Sequence, residues 1–330
     1  MAGEGTGLRR PVGQEDALRV LTGAADAGRL AQAYLLVGLP GVGKGTVAEY
    51  VACRLQCQAD GASRPCGRCP ACVAVLRGVH PDVRWLGPEV RLGIDESRAL
   101  RERASRRPAH GRISVFVVEA CERLTGAAAS ALLKVLEEPP GDALFLFLAN
   151  HPAAMEPTLR SRCVVVRLRP VAVEQIEPWL ALEHPEVAAE VRAEAARSCD
   201  GLPGVACATA EGPAGSEVRD LVLGALAATT PAGIVEAAVR LAAGGVSPWS
   251  VLTVLRNAAV VAFALPAEQV GGREGFAQAE HAKALAGDLS SLVGAAQCCL
   301  AALDAAAANV NAILNWQVLL FRLHQLKATC

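Results

Sequence analysis

Ala33-Tyr34-Leu35-Leu36-Val37 runs directly into Gly38-Leu39-Pro40-Gly41-Val42-Gly43-Lys44-Gly45-Thr46. Five apolar residues bounded by glycine predict a buried strand, and residues 46–55 predict the helix that follows. Seven of the eight positions of a G-x-x-x-x-G-K-[ST] phosphate loop are present in the strand–loop–helix context the motif requires. The glycines let backbone N–H groups curl around phosphate oxygens, the helix N-terminus adds positive potential, and Lys44 can reach terminal phosphates. The eighth position departs from the pattern: Gly45 stands where Ser or Thr would ligate magnesium. Thr46 lies about 100° further around the helix and is no simple substitute. The candidate nucleotide residues are therefore Gly38, Gly41, Gly43, Lys44, Gly45 and Thr46, with ATP or ADP as ligand and poor provision for Mg2+.

Outward from the loop, short apolar runs alternate with helical patterns. Val115–Val118, Leu144–Leu148 and Val164–Leu168 are further strand candidates, and a helix spans Thr125–Glu138 before the stop at Pro139-Pro140. This alternation predicts an α/β domain with a parallel sheet over residues 1–170. Strand patterns vanish after Val171. Residues 171–212 read as a small helical domain broken at Gly201-Leu202-Pro203-Gly204, and residues 213–330 as an all-helical domain. Breaks in the latter fall near Pro231, Gly244–Pro248, Pro266–Gly275 and Gly287.

A phosphate loop of this kind works with an acidic strand end, where one carboxylate holds magnesium and a neighbour polarises the attacking water. Val115–Val118 ends in Glu119-Ala120-Cys121-Glu122. Glu119 retains a carboxylate, but Ala120 cannot activate water. With Gly45, two separate requirements for hydrolysis are degraded, so nucleotide binding is compatible with this chain and efficient turnover is not.

Cys57, Cys66, Cys69 and Cys72 place four thiols within sixteen residues, three of them at C-x2-C spacing. Zinc takes four thiolates in a tetrahedron, and this spacing supplies neighbouring corners along a short chain path. Four protein ligands leave no open position, which predicts structural rather than catalytic zinc. Cys53, one helical turn before Cys57, is the rival fourth ligand.

The net charge of −1 hides an asymmetry: residues 1–170 hold 23 Lys+Arg against 17 Asp+Glu, a net of +6, and residues 171–330 hold 9 against 16, a net of −7. Arg98, Arg101, Arg103, Arg106, Arg107 and Arg112 face a single acid, Glu102, within fifteen residues. Such a stretch either tracks a phosphate backbone or forms a solvated helix face. With 20% charged residues and 52% hydrophobic ones, the composition excludes a disordered tail. The longest apolar span, Ala305–Phe321, carries Asn309, Asn311, Asn315 and Gln317, which predicts a buried amphipathic helix and no membrane span. The N-terminus lacks the apolar core of a signal peptide, so a cytoplasmic protein with unpaired cysteines is expected.

These segments occur in one arrangement. Val12-Gly13-Gln14, the loop at 38–44, the four-cysteine insertion, His80-Pro81-Asp82, Pro108-Ala109-His110-Gly111-Arg112, Ala131-Leu132-Leu133-Lys134-Val135-Leu136-Glu137-Glu138-Pro139-Pro140 and Ser161-Arg162-Cys163 resemble the AAA+ clamp-loader family of bacterial DNA polymerase III. The motifs cover about residues 12–170, and Asn309-Val310-Asn311 before a final helix resembles the family's collar. The resemblance implies an AAA+ domain with a zinc insertion, a helical lid and an oligomerising collar. Gly45, Glu119 and Ala120 depart from the hydrolysing members, and no lid arginine stands in 201–205. The chain is therefore similar to a non-motor member. The resemblance maps a trans-acting arginine finger to Arg162, a sensor-like polar position to Asn150, and zinc to Cys57, Cys66, Cys69 and Cys72. It implies ATPase subunits of the gamma/tau type and a delta subunit as partners in a hetero-pentamer, which meets the sliding clamp and primed DNA as a complex. Two alternatives are an active gamma/tau-type ATPase and a zinc-containing DNA-binding module with a vestigial phosphate loop.

Overall fold

The computed structural model describes residues 7–87, 94–124, 126–137, 142–211, 221–222, 224–225, 230–243, 294–295, 297–299, 301–302, 305 and 311–328. Gly244–Pro248, Pro266–Gly275, Gly287, Asn309, Val310 and Glu138–Pro140 lie outside them. The chain divides into two compact units, Met1–Trp179 with Asp200–Gly204, and Leu180–Cys199 with Val205–Cys330.

The first unit is an α/β layer structure in the order α1 (Glu15–Asp26), β1 (Ala33–Val37), α2 (Lys44–Gln56), α3 (Pro70–Leu76), β2 (Val83–Leu86), α4 (Ile94–Ala104), β3 (Ser114–Val118), α5 (Gly126–Glu137), β4 (Ala143–Ala149), α6 (Pro157–Arg160) and β5 (Val164–Arg167). The strands form one sheet in the order β2-β3-β4-β1-β5, with every pairing parallel. Parallel strands need helical crossovers that cover both faces, so their residues read as continuous apolar runs. All five residues of β1, all five of β3 and all seven of β4 are buried. Phe116, Phe145 and Phe147 stack through the middle of the sheet at centroid spacings of 5.0 and 6.0 Å. Each such ring removes about 1.5–3 kcal/mol of apolar surface cost from water.

The α/β class, the parallel sheet and the cysteine insertion agree with the sequence. One strand is added: Val83-Arg84-Trp85-Leu86 forms β2 at the sheet edge. It is four residues long, with an exposed arginine, too short and too mixed for periodicity to reveal.

The second unit is helical among its described residues. Helix α8 (Ala189–Ser198) lies wholly within it, while α7 (Val173–Glu183) and α9 (Pro203–Glu211) begin in the first unit and end in the second. The expected break at 201–204 is narrower, because Pro203 opens α9, where its fixed φ and missing N–H are no cost. Helices Pro231–Ala243 and Ala312–Ala328 share a core with Ile234, Leu241, Trp316, Leu319 and Leu323. Asn315 is buried there, its Nδ2 donating to the Ala302 carbonyl at 2.9 Å, and Asn311 Oδ1 accepts the Leu314 N–H at the start of the helix. No helix among the described residues is long and apolar enough to cross a membrane.

Candidate functional site

The phosphate loop leaves the carboxyl end of β1, where a parallel sheet places its ligands. Gly41 has φ +78° and Gly43, which caps α2, has φ +101°. Side chains rarely adopt these angles, so the glycines are needed for the curl itself. Gly38 is required sterically, since a Cβ there would come within 2.8 Å of Val42 Cγ1 and 3.0 Å of the Leu168 carbonyl. Two neighbouring segments hold the loop. Gln14 Nε2 donates to the Arg169 carbonyl at 2.8 Å and to the Val42 carbonyl at 3.5 Å, and the Gly204 N–H donates to the Gly41 carbonyl at 2.8 Å. The Val12-Gly13-Gln14 and Gly201–Gly204 segments thus buttress the loop.

Lys44, the first residue of α2, turns back on the loop. Its Nζ donates to the carbonyls of Gly38 and Leu39, both at 2.8 Å. Burial lowers its pKa to about 8, against the opposing pull of Glu122 and then Glu119. Gly45 and Thr46 follow in the first turn of α2.

Glu119 follows the carboxyl end of β3, beside the loop, but its Oε1 accepts the indole N–H of Trp85 from β2. The same ring faces Gly45: its Cζ2 lies 3.9 Å from where a Cβ at that position would stand. Trp85 therefore sits against both positions that would hold a metal. The sequence reading missed it, and its signal was a tryptophan in a chain with only four, three residues after His80-Pro81-Asp82. Ala120 has φ +46°, which turns the chain sharply after Glu119. Glu122 Oε1 accepts the Asn150 N–H at 3.0 Å, and Glu122 Oε2 is buried with no partner among the described residues. Asn150 follows β4, so the loop, Glu119 and Asn150 gather at the carboxyl end of the sheet.

Arg162 lies on the short connection between α6 and β5. Its Nη2 pairs with Glu137 Oε1 of α5 and its Nη1 donates to the Thr158 carbonyl at 3.0 Å. The two side chains are 38% and 47% exposed. An ion pair this exposed contributes about 0–1 kcal/mol, so the guanidinium is held in place without being locked there.

The four cysteines converge. Cys57 ends α2, Cys69 caps α3, and the four Sγ atoms all lie within 4.8 Å of one another. The N–H groups of Cys66, Cys69 and Cys72 donate to Cys57, Cys66 and Cys69 Sγ respectively, each at 3.4 Å. N–H bonds to sulfur favour thiolate, and the Arg68 N–H leads in pulling the Cys66 thiol down to about 6. Four soft donors in one knuckle fit a tetrahedral zinc ion. Cys53 stands outside the group, and burial pushes its thiol up to about 12.

His80-Pro81-Asp82 has a structural task. The Asp82 carboxylate accepts the N–H groups of Ala109, His110 and Gly111 at 2.6–2.7 Å, and the Asp82 N–H donates to His80 Nδ1. Burial opposes ionisation of Asp82, but these three bonds outweigh it and hold the pKa below the usual value. The two motifs, 80–82 and 108–112, are therefore the halves of one clamp.

A family model described as DNA polymerase III, delta subunit, matches residues 13–172. DNA polymerase III subunit delta' of Pseudomonas aeruginosa is 38% identical over 177 residues, covering 52% of this chain and 54% of that protein. Subunit delta' of Escherichia coli is 34% identical over 216 residues, 64% of each chain. Subunit tau of Salmonella typhimurium is 32% identical over 239 residues, 69% of this chain and 37% of that protein. The chain thus spans between 37% and 64% of the length of these relatives. Residues 13–172, which carry the phosphate loop, the cysteine knuckle and Arg162, are thus the part of this chain that is similar to the DNA polymerase III delta subunit family.

Proposed function

We propose that the protein is a non-motor, delta-prime-type subunit of a DNA polymerase III clamp loader, which supplies Arg162 to the ATP site of a neighbouring ATPase subunit. The observation that carries this reading is the state of its own loop. Lys44 bonds to loop carbonyls, Gly45 offers no hydroxyl, Trp85 engages Glu119, and Ala120 replaces a water-polarising acid. A site lacking both its metal ligand and its base binds a phosphate at most, and does not turn it over.

In this account residues 1–170 form the AAA+ domain, 171–212 the lid and 213–330 the collar that joins the chain to its partners. The partners are gamma/tau-type ATPase subunits and a delta subunit in a hetero-pentamer, and the cytoplasmic complex acts on the sliding clamp and primed DNA. Arg162 exchanges Glu137 for the phosphates of the neighbouring ATP, where its guanidinium stabilises the charge that develops on transfer. Cys57, Cys66, Cys69 and Cys72 would hold a structural Zn2+, which ties the end of α2 to the start of α3 and so steadies the far end of the helix that begins at the loop.

The second reading, an active gamma/tau-type ATPase, draws on the similarity to tau. An ATPase assay of the purified chain separates the two. Turnover near background supports the non-motor reading, and turnover like that of tau-type subunits rejects it.

A further inference from the structure

At the amino ends of β2 and β3, opposite the end of the sheet that carries the phosphate loop, is a second basic site. Every strand pairing is parallel, and the loop follows the carboxyl end of β1, whereas Asp82 precedes β2 and Ser114 opens β3. There a concavity of about 240 Å³ is lined by Arg84, Arg103, Arg106 and Arg107, with Asp82 and Ser114 in its wall. The four arginines are exposed, and among the described residues none is paired with a carboxylate. The one acid in the wall is already committed: both Asp82 oxygens accept backbone N–H groups from 109–111. That clamp also fixes the turn after α4, so Arg106 and Arg107 flank a site whose backbone is anchored at both ends. Gly111 adds to the anchoring, since a Cβ there would stand 1.9 Å from Gln56 Oε1, whose amide donates to the Ile113 carbonyl.

We propose that this pocket is a phosphate-binding site, formed by Arg84, Arg103, Arg106 and Arg107. Guanidinium forks match tetrahedral oxyanions, whose several oxygens can be shared among converging arginines, whereas one carboxylate satisfies only one or two. Phe116 is buried in the floor and cannot stack on a base, so the site reads the phosphate and not the sequence. The phosphate belongs either to a nucleic-acid strand or to a free phosphate-bearing ligand. This inference stands apart from the proposed role of Arg162 and needs no partner subunit.

The test uses the full chain carrying Arg103→Ala, Arg106→Ala and Arg107→Ala together. A control of equal charge loss carries Arg19→Ala, Arg29→Ala and Arg77→Ala. Lys44→Ala is measured alongside, because the loop at 38–44 is the other place a phosphate could enter. Binding is read with a labelled 20-nucleotide single strand and a 20-bp duplex as salt is varied, and with inorganic phosphate and pyrophosphate by calorimetry. Thermal unfolding confirms that all variants are folded, and Arg84→Ala provides a single-site repeat if the triple variant is not. For a strand phosphate, the pocket variant binds DNA about tenfold more weakly than the control at low salt. Its log–log salt slope is then shallower by about two, at ~0.7–0.9 per phosphate neutralised. Loss of inorganic phosphate or pyrophosphate binding with no change for DNA assigns the pocket to a free ligand and equally supports the site. The proposal is overturned if pocket variant and control behave alike with every probe, or if all phosphate binding disappears with Lys44→Ala.

Discussion

The indole N–H of Trp85 donates to Glu119 Oε1, and the same ring stands 3.9 Å from where a side chain at Gly45 would begin. One residue of β2 thus covers both candidate magnesium positions, on α2 and after β3. A missing hydroxyl at Gly45 and an engaged carboxylate at Glu119 are then two aspects of one packing arrangement. Wild-type affinity for ADP or ATP, whatever its size, should be nearly the same with and without Mg2+. Combining Trp85→Leu with Gly45→Ser frees the carboxylate and restores the hydroxyl. Calorimetry should then show affinity rising about tenfold on adding Mg2+, on the order of 1.4 kcal/mol. Turnover should stay absent, because Ala120 is unchanged.

Lys44 should report its own burial. Its pKa is lowered from 10.5 to about 8, so the folded state releases the proton at lower pH than the unfolded chain. Between about pH 8 and 10.5 the unfolded state binds more protons, and stability therefore rises with pH across that window. Urea midpoints of wild type measured against Lys44→Met should converge in the wild type's favour from pH 8 to 10. A pH-independent difference would contradict the buried, loop-bound lysine.

The cysteine knuckle separates its two possible fourth ligands. Metal analysis should find one zinc per chain in wild type and in Cys53→Ala. Cys57→Ser should lose the zinc together with about 2–4 kcal/mol of stability. Retention of zinc by Cys57→Ser and its loss from Cys53→Ala would exchange their roles.

Asp82 ties residues 109–111 to the start of β2 through three charge-assisted bonds. Asp82→Asn keeps the shape but loses the charge and one acceptor oxygen, and should cost about 1–3 kcal/mol in denaturant unfolding. The wild-type carboxyl is held below its usual pKa. Its contribution is therefore complete above the ordinary aspartate value of 3.8 and is lost as pH falls through the folded value. The difference between wild type and Asp82→Asn should shrink only in that acid range.

What the sequence made legible was local. The strand before Gly38, the glycines of the loop and the spacing of Cys57, Cys66, Cys69 and Cys72 all act over short stretches, and the structure forms each in place. Relationships between distant segments were not legible. Trp85 with Glu119 joins residues 34 apart, and Arg162 with Glu137 joins residues 25 apart. Neither pair leaves a periodic trace, because a lone side chain on a short edge strand or connection obeys no repeat. His80-Pro81-Asp82 and Pro108–Arg112 were each recognisable, but that one grips the other depended on how β2 and β3 align.

Arg162 pairs with Glu137 within this chain, and the proposed function requires that it leave Glu137 for a neighbour's ATP. Glu137→Gln should therefore leave assembly intact and not slow the assembled complex, since it removes only the competing carboxylate. A marked slowing would mean that Glu137 is needed to aim the arginine.

The most direct measurement is the DNA-stimulated ATP turnover of purified gamma/tau-type and delta subunits assembled with this chain, wild type against Arg162→Ala. The account predicts that the Arg162→Ala complex assembles with unchanged stoichiometry and that its turnover falls at least about tenfold, a conservative threshold against the ~10³–10⁵ that an arginine finger supplies at the site it serves. An assembled complex with unchanged turnover would contradict it.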